Sequence, residues 1–500
     1  QDVVDWANKY LGPESYAIIY KREGKDPDEQ KIAAPKITPI VTNRDSQSEF
    51  LSEIQTSQVQ PIEPVFVDYK KDMSQFEAQP GIDVLYKKNE TNDIFTLIYV
   101  FNTGTENDPA LNLAFNYLSY LGTDKMTAEE IASEMYDIAC SFYMNAGANQ
   151  SSIQITGLSE NMGKAMEIVE GLIAGAQPNE EILQNLKGDM IKSRADAKLN
   201  QSRCFGALQR YMIYGSDFTR RTTLTDPALQ GLTSEQLLAK IGDLMGKQHE
   251  VLYYGPQDEA EVKAALAAHH KVAADLQPLG KKFSTLQPTD ENKVMLAQYD
   301  AKQLYYMQYS NRGEKFDLAA DPQITLYNEY FGGGMNTIVF QEMREARGLA
   351  YSAWANLAIP TNAKGDYYYM AFIATQNDKM QKAIEAFDEI INNMPESEKA
   401  FDIAKEALIS RLRTERTVKD GVLWSYIRMR DLGLTEPRGK QIFEKAQQMT
   451  LADVKAAQEK WVKGRKYVYG ILGDIQDLDL NYLKTLGPIQ TVTQEEIFGY

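Results

Sequence analysis

An internal repeat limits the folds open to this chain of 500 residues more than any other feature. The segment GKAMEIVEGLI (Gly163–Ile173) matches QKAIEAFDEII (Gln381–Ile391) at an offset of 218 positions. Upstream, MYDIACSFYMNA from Met135 matches MREARGLAYSAW from Met343 at an offset of 208. One insertion in the second copy, the turn-rich IPTNAKGD (Ile359–Asp366), accounts for the difference. The chain is therefore predicted to contain two tandem modules of one kind.

Both copies have the same predicted order of elements. Alternating apolar residues predict two strands, then two helices, a second pair of strands, long helices and a final short strand. We therefore predict an α+β fold class in which each module is a mixed, largely antiparallel sheet packed with helices. The predicted modules occupy residues 65–277 and 293–500, with a linker at 278–292.

The helix-then-strand pattern that ends each copy also occurs at the start of the chain. Residues 2–24, DVVDWANKYLGPESYAIIYKREG, follow the pattern of residues 452–474, ADVKAAQEKWVKGRKYVYGILGD. We expect residues 1–22 to be the tail of a preceding module, and the chain to be a fragment of an architecture of about four modules. A chance resemblance between helical segments is the alternative. Residues 23–64 are expected to be a linker or hinge with one short helix, EFLSEI, after an N-cap signal at Asp45–Ser48.

Charge and composition exclude some classes of partner. The formal net charge of −17 disfavours nucleic acid, and the acidic residues are dispersed among Lys and Arg. No apolar run approaches the roughly 20 residues that span a bilayer. Cys140 and Cys204 are too few for a disulfide framework. We expect both to be buried small apolar residues, and the sequence leaves open whether they pair.

Metal and nucleophile patterns are weak. The histidines are His249, His269 and His270. The last two are adjacent on a predicted helix and cannot chelate as an i, i+4 pair. We interpret all three as surface or helix-end residues and predict no metal site. There is no G-x-S-x-G motif of a serine nucleophile. Gly332–Gly334 are not followed by the Lys that a phosphate loop requires, so we interpret them as a turn after a helix.

Arg344 and Tyr351 form a more promising pair. Arg344 lies near the end of a predicted helix, Asn336–Arg347, and Tyr351 is predicted to open the next strand. Both side chains donate hydrogen bonds, so together they suit a peptide carbonyl or a developing oxyanion. The alternative is a surface ion pair for Arg344 and sheet packing for Tyr351. In the first copy, the matching positions hold Tyr136 and Tyr143.

The segment FGGGMNTIVFQEMREARGLAYSAWA resembles the glycine-rich turn, helix and R-x₆-Y signature of the insulinase/pitrilysin zinc metallopeptidases, which include the mitochondrial processing peptidases. The resemblance implies a clamshell of four similar modules around an unfolded peptide. It places an H-x-x-E-H zinc motif in the first module of the amino-terminal half. In the carboxy-terminal half, it assigns substrate contact to Arg344 and Tyr351, with Gly332, Gly333 and Gly334 as further candidates. Resemblance to secreted bacterial members implies an envelope location.

The zinc motif is absent where the repeat would place it. Leu111–Asp124 contains no His or Glu. In Thr325–Gly334, Glu329 is the only His or Glu. The resemblance therefore implies a non-catalytic carboxy-terminal half of a zinc endopeptidase that holds no cofactor itself. Its expected partners are a peptide substrate and a zinc-bearing amino-terminal half, in the same polypeptide or in a separate subunit. A non-catalytic subunit of a heterodimeric peptidase and a peptide-binding or structural protein of the same fold are the alternatives.

Overall fold

Two six-stranded sheets, one in each repeat, organise the described part of the chain. The first sheet has the order β1-β2-β6-β3-β5-β4 and the second has the order β12-β7-β11-β8-β10-β9. The strands are β1 Ser74–Gln79, β2 Ile82–Lys88, β3 Ile94–Phe101, β4 Cys140–Ala146, β5 Ser151–Leu158, β6 His249–Gly255, β7 Lys293–Gln298, β8 Gln303–Lys315, β9 Ser352–Ala358, β10 Asp366–Gln376, β11 Val468–Gly473 and β12 Ile489–Val492.

Strand directions confirm the predicted fold class. In the first sheet only β2 and β6 run parallel, and in the second the parallel pairs are β7–β11 and β7–β12. All other neighbours are antiparallel. The sequence analysis missed two strands, β1 and β12. Both lie at sheet edges. The β1 sequence SQFEAQ is mostly polar and the β12 sequence IQTV has only four residues, so neither shows a long apolar alternation.

Helices pack on both sheets. Those of the first module are α3 Leu111–Leu118, α4 Ala128–Asp137, α5 Met162–Gly175, α6 Glu180–Lys198, α7 Gln201–Thr222, α8 Asp226–Gly231, α9 Ser234–Met245 and α10 Glu259–His269. Those of the second are α11 Asp321–Phe331, α12 Ile338–Phe340, α13 Met380–Asn392, α14 Glu398–Thr414, α15 Gly421–Asp431, α16 Arg438–Ala446, α17 Leu451–Ala457, α18 Leu480–Leu486 and α19 Gln494–Phe498.

The computed structural model describes residues 1–12, 14, 16–21, 24, 48–280, 282 and 284–500. Both modules lie in one compact unit, Ile62–Tyr500, and Gln1–Pro61 forms another. In the latter, α1 spans Asp2–Tyr10 and α2 spans Glu49–Thr56, as predicted for EFLSEI. Most of the predicted linker, including residues 45–47 of its N-cap signal, lies outside the described residues. No helix in the described ranges is long and apolar enough to span a membrane.

Each module has an apolar core between one face of its sheet and its own helices. The opposite face of each sheet is covered by a helix of the other module. Phe205, Leu208 and Met212 of α7 pack on the second sheet, which contributes residues of β7, β8 and β11. Reciprocally, Val422 and Leu423 of α15 pack on β2, β3 and β6 of the first sheet. The two modules therefore complete each other's cores.

Gly470 permits the close approach of α7. It lies in the centre of β11, and a Cβ atom there would collide with Sδ of Met212. A larger residue would push the helix away from the sheet, so this glycine is required by packing. Both cysteines are buried, as expected, and they are not paired with each other: Cys140 lies in β4 and Cys204 lies in the α7 cluster.

The strand pairings show that the ten extra residues of the second copy lie at two separate places in the chain. The turn-and-helix segment after β5 begins at Ser159 and its counterpart after β10 begins at Asn377, so this region keeps the offset of 218. Ile153 of β5 pairs with Met144, whereas its counterpart Ala371 pairs with Ala355. Met144 thus corresponds to Ala355, at an offset of 211.

Three extra residues therefore precede the edge strand β9, and seven lie in the hairpin that follows it. The prediction of a single insertion at Ile359–Asp366 is wrong. The sequence match from Met135 ran without a gap from helix α4 into strand β4. It missed the three extra residues, because nothing in the residue pattern indicates their position.

We expect Leu423→Ala to lower the free energy of unfolding by about 2–5 kcal/mol, because Leu423 is fully buried against the sheet of the other module. The whole Ile62–Tyr500 unit is expected to respond in one cooperative urea transition, followed by circular dichroism. Leu199→Ala, at an exposed position, is the matched control. Two separate transitions, of which only one shifts, would contradict reciprocal packing.

Candidate functional site

A glycine-rich turn joins α11 to the segment that carries Arg344. A Cβ atom on Gly332 would collide with the carbonyl oxygen of Asn328, and one on Gly333 would lie 2.9 Å from Cβ of Trp354. Gly334 has more space, since the nearest atom would be a methyl of Thr337 at 3.6 Å. Packing thus requires the first two glycines. Gly332 is the C-cap of α11, which agrees with the predicted turn after a helix. A role of Gly332, Gly333 or Gly334 in substrate contact stays a prediction.

The helix that carries Arg344 is irregular. It was predicted to span Asn336–Arg347, but α12 covers only Ile338–Phe340 and continues as a π-helical turn over Gln341–Ala346. Gly348 ends it with a left-handed backbone, φ 57°. The N–H of Leu349 then donates to the carbonyl of Met343, a fully buried residue, at 3.0 Å. The wider turn rotates Arg344 relative to a regular helix, and such turns are frequent at functional sites.

The structure brings Arg344 and Tyr351 together. The guanidinium carbon lies 4.6 Å from the centre of the Tyr351 ring and 4.9 Å from that of Phe340. Nε of Arg344 is also 3.5 Å from a carboxylate oxygen of Glu345. Tyr351 precedes β9 and is 79% exposed, so it is not packed in the sheet. The pair is therefore a cation–π stack at the surface, with N–H groups at its edge.

The first module has no equivalent of Tyr351. Tyr143 was matched to it by sequence, but the strand pairing gives a different match. Tyr143 pairs with Gln154 in the first sheet, and Trp354 pairs with Phe372 in the second. Gln154 and Phe372 are equivalent, because they differ by the offset of 218. Tyr143 therefore corresponds to Trp354, and that match was wrong. Tyr351 lies in the connection before β9, which is three residues longer than the connection before β4. The sequence analysis also missed Phe340, although its i, i+4 spacing from Arg344 was readable.

Buried tyrosines occupy the helices in which the repeat would place a metal motif. In α3, the Tyr117 hydroxyl donates to Ser234 Oγ at 2.7 Å and accepts the N–H of Asn179, the N-cap of α6, at 2.7 Å. In α11, the Tyr330 hydroxyl accepts the N–H of Ser397, the N-cap of α14, at 3.1 Å. Glu329 forms an ion pair with Arg411. These side chains hold helix ends and are not arranged as metal ligands.

A histidine cluster lies elsewhere in the first module. Nε2 of His249 is 2.8 Å from Nε2 of His270, and Nδ1 of His270 is 2.5 Å from Oε1 of Glu170. His249 is buried at the start of β6, so its interpretation as a surface or helix-end residue was wrong. His269 and His270 do lie at the end of α10, as interpreted, but His270 is buried. Sequence spacing could not reveal the cluster, because β6 and the residue after α10 meet only in the folded chain.

This cluster does not fit a metal. Two imidazole ligands on a tetrahedral zinc, each about 2.0–2.1 Å from it, lie about 3.3 Å apart, so 2.8 Å is a hydrogen-bond distance. Across the described ranges, no group of three or more His, Cys, Asp or Glu could hold a metal ion. Zinc therefore does not fit the side chains described in this chain.

The second module has a buried carboxyl group at the position equivalent to Glu170, but no histidine contacts it. Asp388 lies 218 positions after Glu170 on the equivalent helix and accepts a hydrogen bond from Nε2 of Gln308 at 3.1 Å. Burial raises the pKa of Asp388 to about 6. The equivalent helices thus both present a carboxyl to the sheet, but different side chains satisfy it.

Comparisons with known proteins agree with this architecture. Residues 245–408 match the family described as peptidase M16 inactive domain. An uncharacterized zinc protease of Streptomyces coelicolor is 23% identical over 266 residues, which cover 49% of this chain and 56% of that protein. One from Rickettsia bellii is 24% identical over 312 residues, covering 60% and 70%. The chain is therefore similar to peptidases of the M16 (insulinase/pitrilysin) family, whose inactive domain matches residues 245–408.

Solved structures of the M16 fold extend the comparison. The peptidase M16 inactive domain from Pseudomonas fluorescens superposes with a TM-score of 0.63 and 18% identity, over 80% of this chain and 98% of that chain. The periplasmic protease PqqL from Escherichia coli gives a TM-score of 0.62 and 14% identity, over 89% of this chain and 49% of that chain. The chain therefore spans about half the length of PqqL and of the Streptomyces relative.

Acid is expected to destabilise the histidine cluster. Burial and the neighbouring His270 lower the pKa of His249 to about 4, whereas the unfolded chain has an ordinary value near 6.5. Between these values the unfolded state binds a proton that the folded state does not. The stabilisation is therefore complete above pH 6.5 and is lost as the pH falls toward 4.

Between pH 7 and 4.5, the wild type should lose roughly 1–3 kcal/mol more free energy of unfolding than His249→Gln, measured by urea titration. His269→Gln, at the half-buried helix end, should follow the wild type. Equal losses in the wild type and His249→Gln would show that His249 does not resist protonation.

Proposed function

We propose that this chain is the non-catalytic carboxy-terminal half of a zinc endopeptidase. In this proposal it forms one wall of the substrate chamber and contacts the peptide near the scissile bond, while zinc and the general base come from an amino-terminal half. The observation that carries the proposal is the exposed Arg344–Tyr351 stack, on a π-helical turn and a connection that is three residues longer than its counterpart in the first module. The family's inactive-domain description and the roughly half-length match to PqqL support it.

The stack suits a peptide carbonyl for physical reasons. The Tyr351 ring holds the guanidinium from one face, which limits the number of conformations that Arg344 must give up on binding. Guanidinium N–H groups and the phenol O–H are donors, and a donor placed at a developing oxyanion stabilises it more than the ground-state carbonyl. In this proposal, Arg344 therefore contributes mainly to turnover, and zinc binding is independent of it.

A separate non-catalytic subunit is the other organisation to test, since the Pseudomonas fluorescens chain aligns over 98% of its own length. The intact mass of the native polypeptide distinguishes the two. A mass near twice the 56.5 kDa of this chain supports one polypeptide with both halves. A polypeptide of this size that co-purifies with a zinc-bearing chain supports the subunit.

In the complete peptidase, Arg344→Ala is expected to lower kcat by about 10²–10³-fold, the usual effect of removing one oxyanion donor. Zinc content, measured by atomic emission, should not change. The matched control is Arg347→Ala on the same segment, because Arg347 pairs with Glu389 and Glu342 instead. Unchanged turnover in Arg344→Ala would overturn the substrate role.

Substitutions of Tyr351 separate its two proposed contributions. Tyr351→Phe keeps the ring beneath the guanidinium and removes one donor, so we expect about a tenfold loss of kcat. Tyr351→Leu also removes the cation–π contact and should lose more. Both variants should keep wild-type stability in urea, because the side chain is exposed. Equal kinetics for wild type and Tyr351→Leu would exclude a role for this residue.

A further inference from the structure

Three aromatic side chains lie on the outer face of the second sheet, beside the helix that covers it. The ring of Trp354 on β9 stacks on that of Phe372 on β10, with centres 5.8 Å apart, and the ring of Tyr305 on β8 meets Phe372 at 5.6 Å. Phe205 of α7 contacts Phe372 and Tyr305, at 5.3 and 5.4 Å. Phe205 is buried, whereas the other three are half-buried. Helix α7 thus covers one side of Trp354, Phe372 and Tyr305, which we call the aromatic face, and leaves part of it in water.

The first sheet has polar side chains at two of the equivalent positions, so the fold does not require an aromatic face. Gln154 corresponds to Phe372 at the offset of 218. Strand pairing matches Tyr305 with Thr96, whose hydroxyl lies 3.3 Å from that of Thr156. Apolar surface in water costs free energy, and a contiguous apolar patch with a polar border is typical of a binding surface. The difference between the modules therefore indicates a function of the second one.

The aromatic face adjoins the Arg344–Tyr351 stack. Tyr351 comes three residues before Trp354, and three residues of a strand span about 10 Å. Successive strand residues alternate between faces, so Ser352 and Asn356 lie on the same face as Trp354 and border it with polar groups. This arrangement suits an extended peptide, because the rings can pack against an apolar side chain while polar groups bond to the backbone.

The edge of β9 is less open to a peptide than its face. The N–H of Ala355 donates to the carbonyl oxygen of Gly332 at 3.3 Å, and the N–H of Leu357 donates to Oδ1 of Asn328 at 2.9 Å. Nδ2 of Asn328 also donates to the carbonyl oxygen of Leu357 at 2.9 Å. These bonds use the groups with which an added strand would pair. A peptide that continues from Tyr351 along β9 therefore meets the aromatic face.

We propose that the aromatic face binds a large apolar side chain of the peptide substrate, within about three residues of the carbonyl that Arg344 contacts. The distance follows from the roughly 10 Å between Tyr351 and Trp354, since an extended peptide advances about 3.3 Å per residue. This inference rests on the proposed peptide contact and adds selectivity to it. Arg344 and Tyr351 act on the peptide backbone, which is common to all sequences, whereas the aromatic face distinguishes side chains.

Peptide binding to the 500-residue chain tests the aromatic face without turnover. The probes are two fluorescein-labelled decapeptides of Gly and Ser, one with a single central Trp and the other with Ser in its place. By fluorescence anisotropy, the Trp peptide should bind at least about tenfold more tightly. Phe372→Gln, which introduces the residue of the first sheet, should remove that difference, and so should Trp354→Gln. Tyr143→Gln is the matched control at the first-sheet position equivalent to Trp354, and it should keep the difference.

Equal or undetectable binding of the two peptides by the wild type would overturn the proposal, as would an undiminished difference in both variants of the aromatic face. Phe372→Gln is expected to fold, because Gln154 occupies the equivalent position of the first sheet. A wild-type midpoint of unfolding in urea checks this for each variant.

Turnover by the complete peptidase separates selectivity from the carbonyl contact. With internally quenched forms of the two peptides, the wild type should cut within about three residues of Trp, with kcat/KM at least about tenfold higher than for the Ser peptide. Phe372→Gln should lower kcat/KM about tenfold for the Trp peptide alone, whereas Arg344→Ala should lower kcat for both. An equal loss for both peptides in Phe372→Gln would overturn the aromatic face. Lost selectivity in Phe372→Gln with unchanged turnover in Arg344→Ala would support it and overturn the carbonyl contact.

Two other occupants of the aromatic face have distinct outcomes. Dimers of the wild-type chain that Phe372→Gln abolishes, seen by analytical ultracentrifugation, would assign the face to a second copy. A preference for the Trp peptide that the 500-residue chain shows and the complete peptidase lacks would assign it to the contact with the amino-terminal half. Either result would overturn the proposal.

Discussion

Reciprocal packing is the interaction on which the rest of this structure depends. Each sheet has two apolar faces, and only one is covered by helices of its own module. The second sheet needs Leu208 on α7, and the first needs Leu423 on α15. Because each module lacks part of its core without the other, the described Ile62–Tyr500 unit behaves as one body built from two repeats.

The two modules share this packing but differ in their exposed connections and in the side chains around one buried carboxyl group. The longer connection before β9 holds the exposed Tyr351 against Arg344 beside an edge strand. The buried acid is kept in both modules, as Glu170 and Asp388, but its hydrogen-bonding partners differ. Buried positions thus keep a common pattern while exposed connections acquire separate chemistry, and the proposed peptide contact lies in such a connection.

The repeat and the apolar periodicities predicted the α+β class, most strands and the longer helices, because these depend on patterns within short segments. The same patterns located Arg344 and Tyr351 at a helix end and a strand start. They could not predict the π-helical turn, which depends on the contact between Leu349 and Met343, or the division of the ten extra residues, which only strand register reveals. The His249–His270 pair was missed because tertiary packing alone brings these residues together. Polar edge strands such as β1 carry too little apolar signal to be recognised.

The buried tyrosines of α3 and α11 have a consequence for substitutions at these positions. Tyr330 is tied to the start of α14, and Tyr117 to the start of α6, through the backbone N–H of an N-cap residue. A histidine placed at either position would gain a possible metal ligand and leave that N-cap donor without its partner. Introducing a metal ligand at either position therefore costs stability unless another acceptor replaces the tyrosine hydroxyl.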